Sequence, residues 1–365
     1  MAELRTAKQT DTTQLRALWQ ECFGDSDAFC DWFFGERFSP ELSVAAEDNG
    51  EILSAVHGWP FTLSIRDKAI PAIMMCGAAT LPAARGRGLM TKCISLFMAN
   101  AREKGFLVLF QKPVDFSIYA RLGHYASYDA AILTKKEGIV YTPARHTTDS
   151  LCSDTFAEEL LPIYKSHAES YSCAVIRSVK DMSLKLRDYA ADGGRLLRYG
   201  SGDTTAYAVY YITDDKLTVP EIMGASADIL PLLHTLAAMA GNRELTIKMP
   251  SGPIPEGFHG RILPWGAMTA LNAPALMKEI CGNSHVAAEI TDPVIPQNNG
   301  IFAFDGSPAS TAHIRLCAGR LMQLLSGYAD ISTFISQGYA ELLLPAEHLF
   351  AEQLPPLPCF TVDEY

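Results

Sequence analysis

The stretch Ala79-Thr80-Leu81-Pro82-Ala83-Ala84-Arg85-Gly86-Arg87-Gly88-Leu89-Met90 carries the clearest chemical information in this chain. Small residues let backbone N–H groups approach a bound group closely, and a helix starting just beyond them turns its positive end toward an anion. Arg85, Arg87 and Lys92 add cationic side chains. Such a loop suits a diphosphate, with Arg85, Gly86, Arg87 and Gly88 as the binding candidates. Taken alone, R-G-R-G is equally well a glycine-rich turn with solvated arginines. The context favours the anion site, because an apolar strand, the loop, a long helix and a buried strand follow in unbroken order.

Other chemistry-bearing patterns are sparse. The nine histidines form no metal pair at helical spacing, the nine cysteines are dispersed without a C-x-x-C pair, and no nucleophile elbow surrounds a Ser or Cys. No metal is expected. Trp32, followed by Phe33 and Phe34, is a candidate for lining an acceptor pocket, with core packing as the competing role. The run Leu357-Pro358-Cys359-Phe360-Thr361-Val362 is too apolar for a free tail, so the closing Asp363-Glu364-Tyr365 is expected to dock.

The elements that must position these residues follow from periodicity. Asp11 and Gln14 read as a capping box for a helix carrying Leu15, Leu18, Trp19, Cys22 and Phe23, closed by Gly24. A short helix over Phe29–Phe34 follows. Strands are expected at Leu42–Glu47 and Glu51–Val56 around Asp48-Asn49-Gly50, then at Phe61–Ile65 and Ala69–Thr80 around Arg66-Asp67-Lys68. Leu89, Met90, Cys93, Ile94, Phe97, Met98 and Ala101 form one helical stripe, and Phe106–Phe110 reads as a buried strand. From about residue 139 the same order restarts, with helices at Thr155–Ala168, Met182–Ala190 and Ile229–Ala240. Its strands are Arg195–Tyr199, Ala206–Ile212, Lys216–Ile222 and Glu244–Met249, and it has no second basic glycine loop. A proline-rich break at Pro250–Pro255 precedes a smaller set of mixed helices and strands.

Length and composition agree with several domains. The chain has 365 residues, 48% hydrophobic and 19% charged, which suits a folded α/β (α+β) protein. A net charge of −11 argues against nucleic acid as a partner and is compatible with a cationic substrate. No apolar run reaches the roughly 20 residues of a membrane span. The start lacks a secretory layout, and scattered single cysteines fit a reducing cytoplasm.

With Arg85 and Gly88 matching the R/Q-x-x-G-x-G/A motif, the loop resembles that of the GCN5-related N-acetyltransferases (GNAT), although Met90 stands where Gly or Ala is usual. Over the whole chain the sequence looks like the enhanced intracellular survival family of that superfamily, which has P-x-x-R-x-x-G-[LV]-[LM] at this loop. The segment Ile118-Tyr119-Ala120-Arg121-Leu122-Gly123-His124 resembles a second family feature.

The resemblance implies two tandem GNAT-like mixed-sheet domains, residues 1–138 catalytic and 139–260 without a cofactor loop. Residues 261–365 would form a small sterol-carrier-protein-like domain. It implies acetyl-CoA as donor, transfer to an amine, and a homo-oligomer such as a hexamer. Backbone N–H groups near Ala78 and Thr80 would hold the pantetheine. Tyr119 would be the general acid for the leaving thiolate, and the carboxylate of Tyr365 the general base, with Glu364 near the acceptor. A phenol near pKa 10 and a thiol near 8.5 are close enough for that proton transfer. Aminoglycoside-like amines, lysines and polyamines all remain open as acceptors. The competing reading is a lipid or small-molecule binding protein working through its last domain.

Overall fold

A computed structural model of the chain describes residues 2–151, 155–200, 202–282, 284 and 286–364. It divides into two compact units. One comprises Met1–Tyr128, Trp265–Cys359 and Asp363–Tyr365, the other Asp129–Pro264 and Phe360–Val362.

The first unit is built on β1 (Glu3–Thr6), α1 (Thr12–Phe23), α2 (Asp27–Trp32), β2 (Ser43–Asp48), β3 (Glu51–Ile65), β4 (Lys68–Thr80), α3 (Leu89–Glu103), β5 (Val108–Gln111) and α4 (Phe116–Ala120). Strands β1 to β4 pair antiparallel in sequence order, and β5 lies parallel to β4. The two hairpin turns have positive φ at Asn49 and Gly50 and again at Arg66 and Asp67, the geometry that matches strand twist. On α3, Leu89, Cys93, Ile94, Phe97, Met98 and Ala101 are buried, so the stripe read from the sequence is the face that covers the sheet. Residues Ala267–Ala270 add a further antiparallel strand beside β5. A separate four-stranded sheet, ordered Gly300–Ala303, Ala287–Thr291, Ile314–Cys317 and Glu341–Leu342, completes this unit.

The second unit repeats the plan. Arg195–Tyr199, Ala206–Ile212 and Lys216–Gly224 pair antiparallel, and helix Ser226–Ala240 leads to Glu244–Pro250, which runs parallel to Lys216–Gly224. The fold is thus mixed α/β, with the same antiparallel-strands, helix, parallel-strand order in both units. One difference matters for chemistry. Leu81 to Gly88 separate strand and helix in the first unit, whereas Ala225 alone does so in the second.

Several local expectations are corrected. The Asp11–Gln14 capping box does not form. The Asp11 carboxylate instead accepts from the Lys8 N–H and pairs with Arg5, while Gln14 hydrogen-bonds Ile52 and Gly50 and ties α1 to the β2–β3 turn. The expected strands at 51–56 and 61–65 are one strand, β3, that continues through Gly58 and Pro60. Glycine is needed at 58, because a Cβ there would lie 2.6 Å from the Phe97 ring. Strand Phe258–Ala270 starts only three residues after the proline-rich break, its alternation hidden by Gly260, Pro264 and Gly266. The expected second short helix ends earlier, at Trp32, and passes into a π-helical turn over Phe33–Arg37.

Candidate active site

The site begins where β4 and β5 part. The two strands pair only at Ala72–Val108, Ile73–Leu109 and Met74–Phe110. Beyond Met74, β4 carries a bulge in which Gly77 and Ala78 stand opposite Val56 alone. Gly77 adopts φ +58°, and a Cβ on it would sit 2.1 Å from the Trp19 ring, so no other residue fits. Among the described residues, the side of β4 facing away from β3 has no strand partner from Gly77 to Thr80. Its far side is secured by Ser54, whose hydroxyl donates to the Ala79 carbonyl at 2.7 Å.

Next to this open edge lies a cleft of about 450 Å³ lined by Cys22, Phe23, Ala78–Thr80, Ala84–Gly86, Gly88–Thr91 and Arg121. Gly86 and Gly88 have φ of +79° and +71°, with nothing within 4 Å of the position a Cβ would take. They are required by the backbone path, and the space beside them is open. Gly88 is the N-cap of α3, and the first intrahelical bond is Lys92 N–H to the Gly88 carbonyl. The N–H groups of Leu89, Met90 and Thr91 thus have no partner within the helix, and all three residues line the cleft.

Of the expected loop residues, Ala78, Thr80, Arg85, Gly86 and Gly88 all line the cleft. The Arg85 Nε donates to the Thr80 carbonyl at 3.3 Å, which leaves the rest of the guanidinium toward solvent. Arg87 is turned aside, its guanidinium 3.2 Å from the Asp48 carboxylate. The second cation of the cleft is Arg121, held by the Thr91 hydroxyl at 3.0 Å. Sequence reasoning did not single it out as a site residue, although it lies in the quoted Ile118–His124 segment.

Tyr119 sits in α4, whose start is capped by the Asp115 side chain accepting from Ser117 N–H. The residue is 7% exposed and packs in the same cluster as Leu89, Met98 and Ala78. Burial raises its phenol above the ordinary tyrosine value, and its hydroxyl hydrogen-bonds none of the described residues. The ring lies 18° from parallel to that of His124. His124 is fully buried and neutral, pushed down to about 3 by desolvation, with Nδ1 2.8 Å from the Gln111 side-chain nitrogen.

The chain's last described residue, Glu364, is docked. Its carboxylate accepts from the Trp265 indole at 2.5 Å and lies 4.0 Å from the Lys112 ammonium, which itself rests 4.5 Å over the Trp265 ring. Tyr365 lies outside the described residues. Trp32 is buried among Phe29, Phe33 and Trp59, with the Arg37 guanidinium over its ring. The structure therefore gathers Ala78, Thr80, Arg85, Gly86 and Gly88 at one cleft. Glu364 is anchored beside Lys112, which directly follows β5, and Trp32 lies within an aromatic cluster. Among the described residues, no group of three or more His, Cys, Asp or Glu could hold a metal ion, and no helix is long and apolar enough to cross a membrane.

Residues 3–127 match the acetyltransferase (GNAT) domain family. The chain thus carries an acetyltransferase domain, in which the β4–α3 loop and its cleft lie, and is an acyl-transfer enzyme. No curated protein matches the chain in sequence. Among solved structures it is similar to a conserved protein of unknown function from Enterococcus faecalis V583, described as a probable N-acyltransferase. That pair has a TM-score of 0.83 at 15% identity, over 100% of both chains. A GCN5-related N-acetyltransferase from Kribbella flavida follows at TM-score 0.76 and 17% identity, over 100% of this chain and 98% of that one. Eis1 from Mycobacterium abscessus is similar at TM-score 0.74 and 15% identity, over 100% of both. At these identities the likeness is one of fold, and it extends over the whole chain.

Proposed function

We propose that this protein is an acetyl-CoA-dependent N-acetyltransferase that works by direct transfer in a ternary complex. One observation carries the reading. The unpartnered end of β4 opens onto the cleft formed by Gly86, Gly88 and the start of α3, with Arg85 and Arg121 at its walls. Extended backbone N–H groups near Ala78 and Thr80 can hold a pantetheine arm and polarise the thioester carbonyl, while the loop amides take the diphosphate.

In the transfer, the acceptor nitrogen attacks the thioester carbon. The C–N bond forms, the C–S bond breaks, and the amine proton passes to a base. Tyr119 returns a proton to the leaving thiolate. Its buried phenol is protonated at neutral pH and its hydroxyl is uncommitted, both of which an acid requires. The carboxylate of Tyr365 is our candidate base, a reading supported by the docking of the Glu364 side chain on Trp265.

The acceptor is a cationic amine, aminoglycoside-like or a lysine or polyamine, which the net charge of −11 and the carboxylate of Glu364 favour. Trp32 is assigned to the acceptor side as part of its aromatic wall. Residues 1–138, 139–260 and 261–365 are read as catalytic, silent GNAT-like and sterol-carrier-like parts of a cytoplasmic homo-oligomer, with a hexamer as the assembly the family resemblance suggests. The silence of the middle part is supported by the one-residue link at Ala225, which leaves no loop for a diphosphate.

Calorimetry with acetyl-CoA tests the donor site. One molecule should bind per chain, and binding should vanish in a folded Gly88→Glu variant, where a carboxylate would face the diphosphate. Two molecules per chain, or unchanged affinity in the variant, would reject it. A short C-terminal extension tests the base separately, because it converts the Tyr365 carboxylate to an amide. Turnover should fall by about two orders of magnitude with donor affinity preserved.

A further inference from the structure

The buried Gln111–His124 pair has no place in the transfer chemistry, yet it is built with care. Gln111 is the last residue of β5, at the point where that strand has left β4. The residue is 4% exposed and its amide nitrogen lies 2.8 Å from His124 Nδ1. With the amide donating, Nδ1 accepts and the proton sits on Nε2, which faces the Met98 sulfur at 3.5 Å. Both ring nitrogens are thereby occupied, and the imidazole has one tautomer and one orientation.

That orientation is spent on Tyr119. The two rings are 18° from parallel, and the His124 backbone N–H donates to the Tyr119 carbonyl at 3.2 Å. Gly123, with φ +80°, makes the reversal that brings His124 back against the residue five positions before it. Tyr119 sits in a helix of five residues, which alone would fix its side chain poorly. A phenol with no hydrogen-bond partner among the described residues needs its position set by ring packing.

We propose that Gln111 and His124 are positioning residues for the reaction: Gln111 locks the His124 ring, and that ring fixes the Tyr119 hydroxyl where the thiolate leaves. The inference rests on Tyr119 being the acid. Neither Gln111 nor His124 touches the reacting atoms. Burial keeps His124 neutral, so that it places no positive charge beside a group that must hold its proton. A cation there would favour the phenolate.

The test is a double-mutant cycle on the full chain, with acetyl-CoA and a polyamine acceptor. His124→Phe keeps a flat ring but abolishes the Gln111 lock, and Gln111→Met removes the lock from the other side. Each should lower kcat by about 10-fold while the KM for acetyl-CoA stays within about 2-fold, because the donor cleft is untouched. In a Tyr119→Phe background the same substitutions should cost less than about 2-fold, since there is no hydroxyl left to position. Two folded variants with a common outcome guard against a packing defect in one. An equal loss with and without the Tyr119 hydroxyl, or a rise in KM alone, would overturn the proposal. Full kcat in Tyr119→Phe itself would instead reject the acid, and this inference with it.

Discussion

The rings of Tyr119 and His124 face one another with 6.1 Å between centroids, and both belong to residues the solvent scarcely reaches. The phenol is held in its protonated form by burial, beside an imidazole that burial keeps uncharged. Tyr119→Phe should therefore lower kcat by about 10²- to 10⁴-fold, the usual share of a general acid, while acetyl-CoA binding and thermal stability change little. Steady-state kinetics with a paired calorimetric titration check this. Because the phenol lies above the ordinary tyrosine value, the wild-type kcat should show no alkaline loss from this group below about pH 10.

His57 and His124 make stability depend on pH. Each is buried without charge in the folded chain, its pKa lowered from 6.5 to about 3 by desolvation. The unfolded chain takes up a proton at each site as the pH drops below 6.5, and the folded chain does not. Stability is therefore full above 6.5 and falls as the pH is lowered toward 3. The slope is about 1.4 kcal/mol per pH unit for each histidine, or about 2 kcal/mol between pH 6.5 and about pH 5. Urea midpoints of the wild type and of His57→Gln across that window give the check. The variant should lose less on acidification, and an unchanged slope would contradict the account.

The cations of the loop are predicted to differ. Arg85 and Arg121 line the cleft, whereas Arg87 is committed to Asp48. Alanine at 85 or 121 should raise the KM for acetyl-CoA by about 10-fold, in keeping with a hydrogen bond to a charged group. Alanine at 87 should change it by less than about 3-fold. Initial rates at several salt concentrations would also show a weaker salt dependence for the first two variants.

Much of this architecture was legible in the sequence, and the misses have physical causes. The stripe from Leu89 to Ala101 and the hairpin at Asn49-Gly50 were plain, because helix period and positive-φ turns depend on local residues. The Ala78–Gly88 loop was legible as well, since glycines and arginines between a strand and a helix have few other uses. Arg121 was not, because its place in the cleft depends on how α4 returns beside Thr91, a tertiary fact. The bulge at Gly77 was hidden for a similar reason: the pattern records a glycine, and only the Trp19 ring packed against it shows why nothing larger fits. Asp11 looked like a cap, but Arg5 and the Lys8 N–H compete for the same carboxylate and win. The pairing of Gln111 with His124 spans a strand end and a turn, and neither residue stands out in the sequence.

The central claim is that the cleft between β4 and α3 holds acetyl-CoA for transfer to an amine. Its most direct measurement is thiol release from acetyl-CoA across a panel of aminoglycosides, polyamines and lysine peptides, with each acceptor then weighed by mass spectrometry. The account predicts release that depends on an amine, equals the acetyl-amine formed, and disappears in the folded Gly88→Glu variant. Amine-dependent acetylation that persists at the wild-type rate in that variant would contradict it.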